Sequence, residues 1–411
     1  MTQRQTDLLV NPHRQYGPTR VVAAWDRSGA RAAAELLAQC FDYQPTPLVC
    51  LAGTARRLGL TAVHMKDEGA RLGLTSFKSL GGAYAVLRLV LQQASRELGR
   101  PVSPLELPRP ASSTLALPAP GAVDAPGDPQ VCGIAAGMVF ACATDGNHGQ
   151  SVAAGARLVG ARAVIFVHAT VASARIAAIA RFGAEIRIVP GNYDDAVAES
   201  ARQSAAHGWT LLSDTSWPGY TEVPTWVMQG YTVMAHEIAQ QLGTAPTHVF
   251  LHAGVGGFAA AVANCLHDLY TPGPQVVVVE PRQAACLFTS AQVGRRIRIP
   301  DGAPTSMAML ECYEPSLLAW DVLQPLAAAF MVVDDADAAQ AQHVLAHAPQ
   351  AAETVSAGAS GAAGLAGLLR ACADPARRAL LDLDASSRVL LVNTESRTGV
   401  AAAQADPTGV E

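Results

Sequence analysis

Lys78 stands alone between an aromatic and small residues in Thr75-Ser76-Phe77-Lys78-Ser79-Leu80-Gly81-Gly82, where the two glycines lead into a helix-like pattern. Burial in such company disfavours the ammonium form and lowers its pKa, which makes the amine a nucleophile towards an aldehyde. Taken alone, the same residues also suit a surface lysine ahead of an ordinary helix. A second cluster, Ala143-Thr144-Asp145-Gly146-Asn147-His148-Gly149, follows an apolar run at 138–142 and opens a helical pattern near Gln150. Amides at a helix start bind anions, so a substrate carboxylate fits this loop; Thr144, Asp145 and His148 are the substrate-binding candidates, the Asp145 carboxylate suiting a substrate ammonium group. A turn and cap with no ligand would use the same residue types.

Asp214, in Ser213-Asp214-Thr215-Ser216-Trp217, follows the strand-like Trp209-Thr210-Leu211-Leu212 and so falls at a strand's carboxyl end. Further on, Gly254-Val255-Gly256-Gly257-Phe258-Ala259 enters a helix after an apolar run, and such a loop can cradle a phosphate on its amides. It also fits a dinucleotide fingerprint, with Glu280 closing the next strand where a ribose-binding acid would stand. That nicotinamide-dehydrogenase reading leaves the Lys78 and Asp145 clusters without a purpose. Near the C-terminus, Val389-Leu390-Leu391-Val392-Asn393-Thr394-Glu395 reads as a strand ending in a hydroxyl residue, Thr394.

The elements that must hold these groups are short, continuous apolar runs alternating with alanine-rich amphipathic stretches. Runs at 61–65, 163–167, 247–251, 276–279 and 389–392 predict strands buried on both faces, as in a parallel sheet. Between them, 149–160, 172–183 and 193–208 predict helices, each ending in glycine. The pattern predicts a doubly wound α/β fold with ligands at the strands' carboxyl ends. The Pro/Ala-rich segment 100–130 breaks it and reads as an exposed insertion, with a lid over the active site as the alternative. With 411 residues, half of them apolar, two lobes are expected. A net charge of -5, from 29 basic and 34 acidic residues, offers no face for nucleic acid or anionic lipid, so a small metabolite is the expected partner. The eight cysteines form no CxxC pair, which argues against a zinc site, and no metal is expected. A polar N-terminus and the lack of a long apolar run predict a cytoplasmic protein.

Lys66-Asp67-Glu68, the following Arg71-Leu72-Gly73-Leu74-Thr75-Ser76-Phe77-Lys78 and Leu80-Gly81-Gly82 resemble the cofactor-lysine motif of diaminopropionate ammonia-lyases. Asp145 before Gly-Asn-His-Gly and the run from Trp217-Pro218-Gly219-Tyr220 to Gln229-Gly230-Tyr231 resemble that family too. The resemblance runs from about Tyr43 to about Glu395. It implies a tryptophan-synthase-β-like fold (fold type II), with two doubly wound parallel-sheet lobes holding pyridoxal 5'-phosphate between them. The expected organisation is an N-terminal extension at 1–42 and a catalytic region at 43–411. Its small lobe would span about 80–215, including the insertion, and its large lobe 43–79 and 216–400.

The roles carried over place Lys78 on the cofactor aldehyde, Asn147 at its ring hydroxyl, Gly254, Val255, Gly256 and Gly257 at its phosphate, and Thr394 at the ring nitrogen. Lys78 and Asp145 would serve opposite faces of a D or L amino acid, with Asp214 as a second acid. The implied reaction is β-elimination of 2,3-diaminopropionate to pyruvate and ammonia by a homodimer. The alternative in the same fold is dehydration or β-replacement of serine, threonine or a relative. Four departures from the family pattern bear on the substrate: Ala359 where Glu is usual, Met309 for Gly, Gly69 for Ser and Thr75 for Asn. Cys286 and Cys312 flank the expected pocket and could pair, although a cytosolic location favours two free thiols.

Overall fold

Continuous β-branched runs become central strands where helices cover both faces. The computed structural model describes residues 7–15, 22–40, 43–110, 123–144, 146–348 and 350–397. Its larger sheet has seven strands in the order Leu8–Val10, Ala329–Val333, Gln275–Pro281, His248–His252, Arg388–Asn393, Ala62–Asp67 and Leu48–Cys50. The five inner strands are parallel and the two outer ones antiparallel, so an all-parallel sheet is corrected at both edges. Three-residue edge strands expose little unpaired backbone, a common way to end a sheet. A second sheet, wholly parallel, runs Glu185–Val189, Arg162–His168, Val139–Ala143 and Thr210–Leu211.

The stretch expected as an extension contributes structure to this frame. Leu8–Val10 pairs with Ala329–Val333, and the helix Arg27–Cys40 sends Ala30, Ala33, Leu37 and Cys40 into the main core. The insertion is less exposed than its composition suggests. Val102 and Leu107 are buried, a 3-10 turn at Pro104–Glu106 is capped by Ser103, and a helix Pro129–Gly137 starts from Asp128. Residues 111–122 lie outside the described residues.

Three helices carry the site between the sheets. The helix Lys78–Leu98 packs against Asn147–Val159 on one side and Glu222–Gln241 on the other. Glycine makes this approach possible. A Cβ on Gly81 would overlap the Tyr231 ring, and one on Gly82 would overlap Ser151, whose hydroxyl accepts the Ala83 N–H at 2.9 Å. Among the described residues no helix is long and apolar enough to cross a membrane.

Candidate active site

The lysine helix begins at Lys78 because the chain before it is clamped at its base. Glu68 N–H donates to the Asn393 carbonyl, Phe77 N–H to Thr394 and Ser396 N–H to Thr75, so the end of the strand Arg388–Asn393 runs beside the lysine loop. Beneath lies a cluster of four ionisable side chains, Lys66, Glu68, Arg71 and Glu237, all buried; burial pushes Glu237 up to about 9 and Lys66 down to about 7. The Arg71 guanidinium forks onto both Glu68 oxygens and both Glu237 oxygens at 2.7 Å, and Lys66 completes the set on Glu237. Thr46 hydroxyl and Tyr43 hydroxyl donate to the same carboxylates. A buried ion cluster is tolerated when every member is paired in this way. It reaches the site through the Arg71 carbonyl, which accepts from Ser79 hydroxyl at 3.2 Å.

Lys78 Nζ forms an ion pair with Asp214 and lies over the rings of Phe77 and Tyr231, 5.3 and 5.8 Å from their centroids. This corrects the expected low pKa. Burial alone would depress the amine, but the adjoining Asp214 carboxylate outweighs it and holds Lys78 above its ordinary value. Asp214 moves the opposite way. Burial would raise it, and the Lys78 charge overrides burial and holds it well below the carboxylate range. The two groups form a salt bridge.

Every other candidate within the described residues lines the same cavity of ≈ 110 Å³: Thr144, Asn147, His148, Gly254, Val255, Gly256, Gly257 and Thr394. Asp145 lies outside the described residues. Thr144 hydroxyl accepts from Gly146 N–H and Gly149 N–H at 3.0 and 3.1 Å, which shapes the loop entering Asn147–Val159. His148 is buried, and its Nε2 sits 2.9 Å from the Leu212 carbonyl, so that nitrogen carries the hydrogen and the ring ties the loop to the strand leading to Asp214. Burial holds its pKa down. Asn147 donates its amide to Glu395 at 2.9 Å.

Gly254 to Gly257 lead into the helix Gly257–Leu269, whose first turn has no side-chain cap. A Cβ on Gly254 would meet Cys312 Sγ at 2.8 Å, and Gly256 has φ +94 with Ala319 and Leu287 at 3.1 Å from any Cβ. Only glycine brings the backbone this close to the cavity. Thr394 hydroxyl lies 2.7 Å from Nε2 of His252, a residue the sequence reading missed. Burial drives His252 down to about 3, so the ring is neutral. Its signal in the sequence was a polar residue closing an otherwise apolar strand just before the glycine loop.

This set fits pyridoxal 5'-phosphate. An amine for the aldehyde, an aromatic floor, an amide, an uncapped helix start for the phosphate and a neutral hydroxyl converge on one cavity. The Nδ1 atoms of His148 and His252 are buried there without a partner, and such atoms ordinarily find one. The dinucleotide alternative loses its acid: Glu280 is buried and spends both oxygens on the N–H groups of Leu287 and Phe288, at 2.8 and 2.7 Å.

The inner cavity shares Gly146, Asn147, Tyr193, Val255, Met309, Cys312 and Glu395 with a larger outer one of ≈ 1250 Å³. Of the four departures, Met309 lines both, Ala359 and Thr75 line the outer one, and Gly69 lines neither. Cys286 and Cys312 are not disulfide-bonded. Among the described residues no group of three or more His, Cys, Asp or Glu could hold a metal ion.

Residues 40–395 match the pyridoxal-phosphate dependent enzyme family. The chain is 35% identical over 383 residues to diaminopropionate ammonia-lyase of Escherichia coli K12, covering 92% of this chain and 90% of that protein. It is 38% identical over 370 residues to the Salmonella typhimurium enzyme of the same name, covering 87% and 86%. The Escherichia coli crystal structure in complex with an aminoacrylate-PLP azomethine reaction intermediate superposes with a TM-score of 0.80 at 33% identity, over 96% of this chain and 95% of that one. With Lys78 and the glycine loop facing each other across one cavity, and with identities of this size over most of the chain, the protein belongs to the diaminopropionate ammonia-lyase family of pyridoxal-phosphate-dependent enzymes.

Proposed function

We propose that the chain removes ammonia by β-elimination from 2,3-diaminopropionate, of D or L hand or both, to give pyruvate and ammonia. The observation that carries this is the convergence of the Lys78–Asp214 pair, Asn147 and the glycine loop on one cavity, in a chain of this family. Lys78 holds the cofactor aldehyde, Asn147 the ring hydroxyl, and the amides of Gly254, Val255, Gly256 and Gly257 the phosphate. When bound, pyridoxal phosphate supplies an electron sink for the pair left by the departing α-proton. Thr394, whose hydroxyl lies beside neutral His252, would offer the ring nitrogen a hydroxyl.

The Lys78 amine becomes nucleophilic once it loses its extra proton, and Asp214, in contact with it, fixes where that amine stands. Lys78 and Asp145 take the α-proton from opposite faces of the substrate. Thr144 and His148 shape the loop that faces the substrate carboxylate. The protein works as a cytoplasmic homodimer, which light scattering of the purified enzyme checks.

A second reading, dehydration or β-replacement of serine or threonine, draws support from Ala359 and Met309 in the cavity walls, and from the Escherichia coli enzyme having been solved in complex with D-serine. A pyruvate and ammonia assay across D- and L-diaminopropionate, serine and threonine separates the two. Faster turnover of either hydroxy amino acid, or of threonine to a keto acid, would replace the first reading with the second.

A further inference from the structure

We propose that Glu395 is the carboxylate that receives the β-ammonium of the substrate and so sets the preference for a diamino acid. The inference rests on the elimination reading above. Among the described residues, two carboxylates line the inner cavity, Asp214 and Glu395. Asp214 is committed to the Lys78 amine. Among the described residues Glu395 has no ion pair; one oxygen, Oε2, accepts from the Asn147 amide at 2.9 Å, the other lies against Gly358, and the Ser360 hydroxyl is a further donor to the carboxylate.

The backbone fixes this position. Gly358 N–H donates to the Glu395 carbonyl at 3.0 Å, and Glu395 bridges to Ser76, two residues before Lys78. A Cβ on Gly358 would stand 2.7 Å from Oε1, so glycine leaves the carboxylate its room. The next residue, Ala359, puts no second carboxylate on that wall. Glu395 also lines the outer cavity, which places it at the throat through which a substrate reaches Lys78. Burial raises its pKa, while Asn147, Ser360, Arg175 and Lys78 pull the other way.

The chemistry asks for an acid at this place. In the elimination the carbon–nitrogen bond breaks and its electron pair leaves with nitrogen. A β-nitrogen that keeps three protons departs as neutral ammonia, whereas one holding two would have to leave as amide ion. A carboxylate beside it favours the ammonium form.

The test compares the holoenzyme with Glu395→Gln and Glu395→Asp by rapid absorbance titration, before turnover, of 2,3-diaminopropionate against alanine, which lacks only the β-amine. Gln keeps an acceptor for Asn147 and removes the charge. Wild type is expected to bind the diamino acid roughly tenfold or more tighter than alanine, the size expected of one charged hydrogen bond. Glu395→Gln should bring the two within roughly twofold of each other with alanine binding unchanged, and Glu395→Asp should keep part of the preference. A wild type without preference overturns the proposal, as does a Gln variant whose preference is intact or whose affinities fall together. Pyruvate release by wild type is scored separately: binding preference without pyruvate would end the elimination reading and leave the charge pairing standing.

Discussion

Lys78 and Asp214 stabilise each other over a pH window whose edges follow from the direction of each shift. Lys78 is raised above its ordinary 10.5, so its contribution is complete below that pH and fades as pH climbs through the folded value. Asp214 is depressed below its ordinary 3.8, so its contribution is complete above that pH and fades as pH falls through the folded value. Between the two the pair adds a constant amount. Asp214→Asn in cofactor-free protein should therefore lower stability by about 2 kcal/mol or more across this whole range, because it strands a largely buried cation. Urea midpoints at several pH values read the effect, and a change of under about 0.5 kcal/mol would show that the pair contributes nothing. Lys78→Ala should take up no cofactor covalently after reconstitution, so the protein loses its visible absorbance; persistent colour after denaturation and filtration would contradict the role given to this amine. Asp145→Asn should slow the D-substrate by roughly tenfold or more relative to the L-substrate, as loss of a general base does. Equal slowing of both hands would reject the division of labour between Lys78 and Asp145.

At the scale of elements, the sequence made four of the five inner strands of the larger sheet legible because burial on both faces leaves an uninterrupted β-branched run, as at Val276 to Val279. Helix ends were legible through glycine, and Gly160 and Gly208 do cap their helices in the left-handed region. Less visible were Leu8–Val10 and Leu48–Cys50, since three residues carry no period. Ala329–Val333 also escaped, because a continuous apolar run just after the apolar helix Leu317–Leu326 has no period to separate strand from helix. In the site, residues set by local motif were readable: Lys78, Asn147 and the glycine loop. Those defined by contacts across the chain were not. Arg71 and Glu237 lie 166 residues apart, and nothing local says that they share a buried cluster with Lys66 and Glu68. That cluster gives an element-scale prediction. Glu237→Ala removes one acid and leaves Lys66 and Arg71 facing a single carboxylate, so it should cost about 3 to 5 kcal/mol. A thermal or urea midpoint close to wild type would mean that water enters and compensates, and would remove the cluster as the foundation of the lysine loop.

For the whole molecule, the decisive contact is the one that holds the lysine helix between its two neighbours, because each neighbour belongs to a different part of the site. Asn147–Val159 begins at the residue assigned to the cofactor ring, and Glu222–Gln241 carries both Glu237 and Tyr231. The spacing is set by backbone against backbone. A Cβ on Gly230 would overlap the Leu80 carbonyl, two residues from Lys78, and no rotamer change can relieve it. Gly230→Ala must push the helices apart, so it should cost about 1 to 3 kcal/mol and weaken cofactor retention, although it touches neither cofactor nor substrate. Gly133→Ala is the matching control. It lies inside the helix Pro129–Gly137 with nothing within 4 Å of an added Cβ, so helix propensity should leave stability equal or up to about 1 kcal/mol higher, with cofactor retained. If both variants held cofactor equally through dialysis, the lysine would not depend on this packing and its position would have to come from the loop clamp at Thr394 and Asn393 alone.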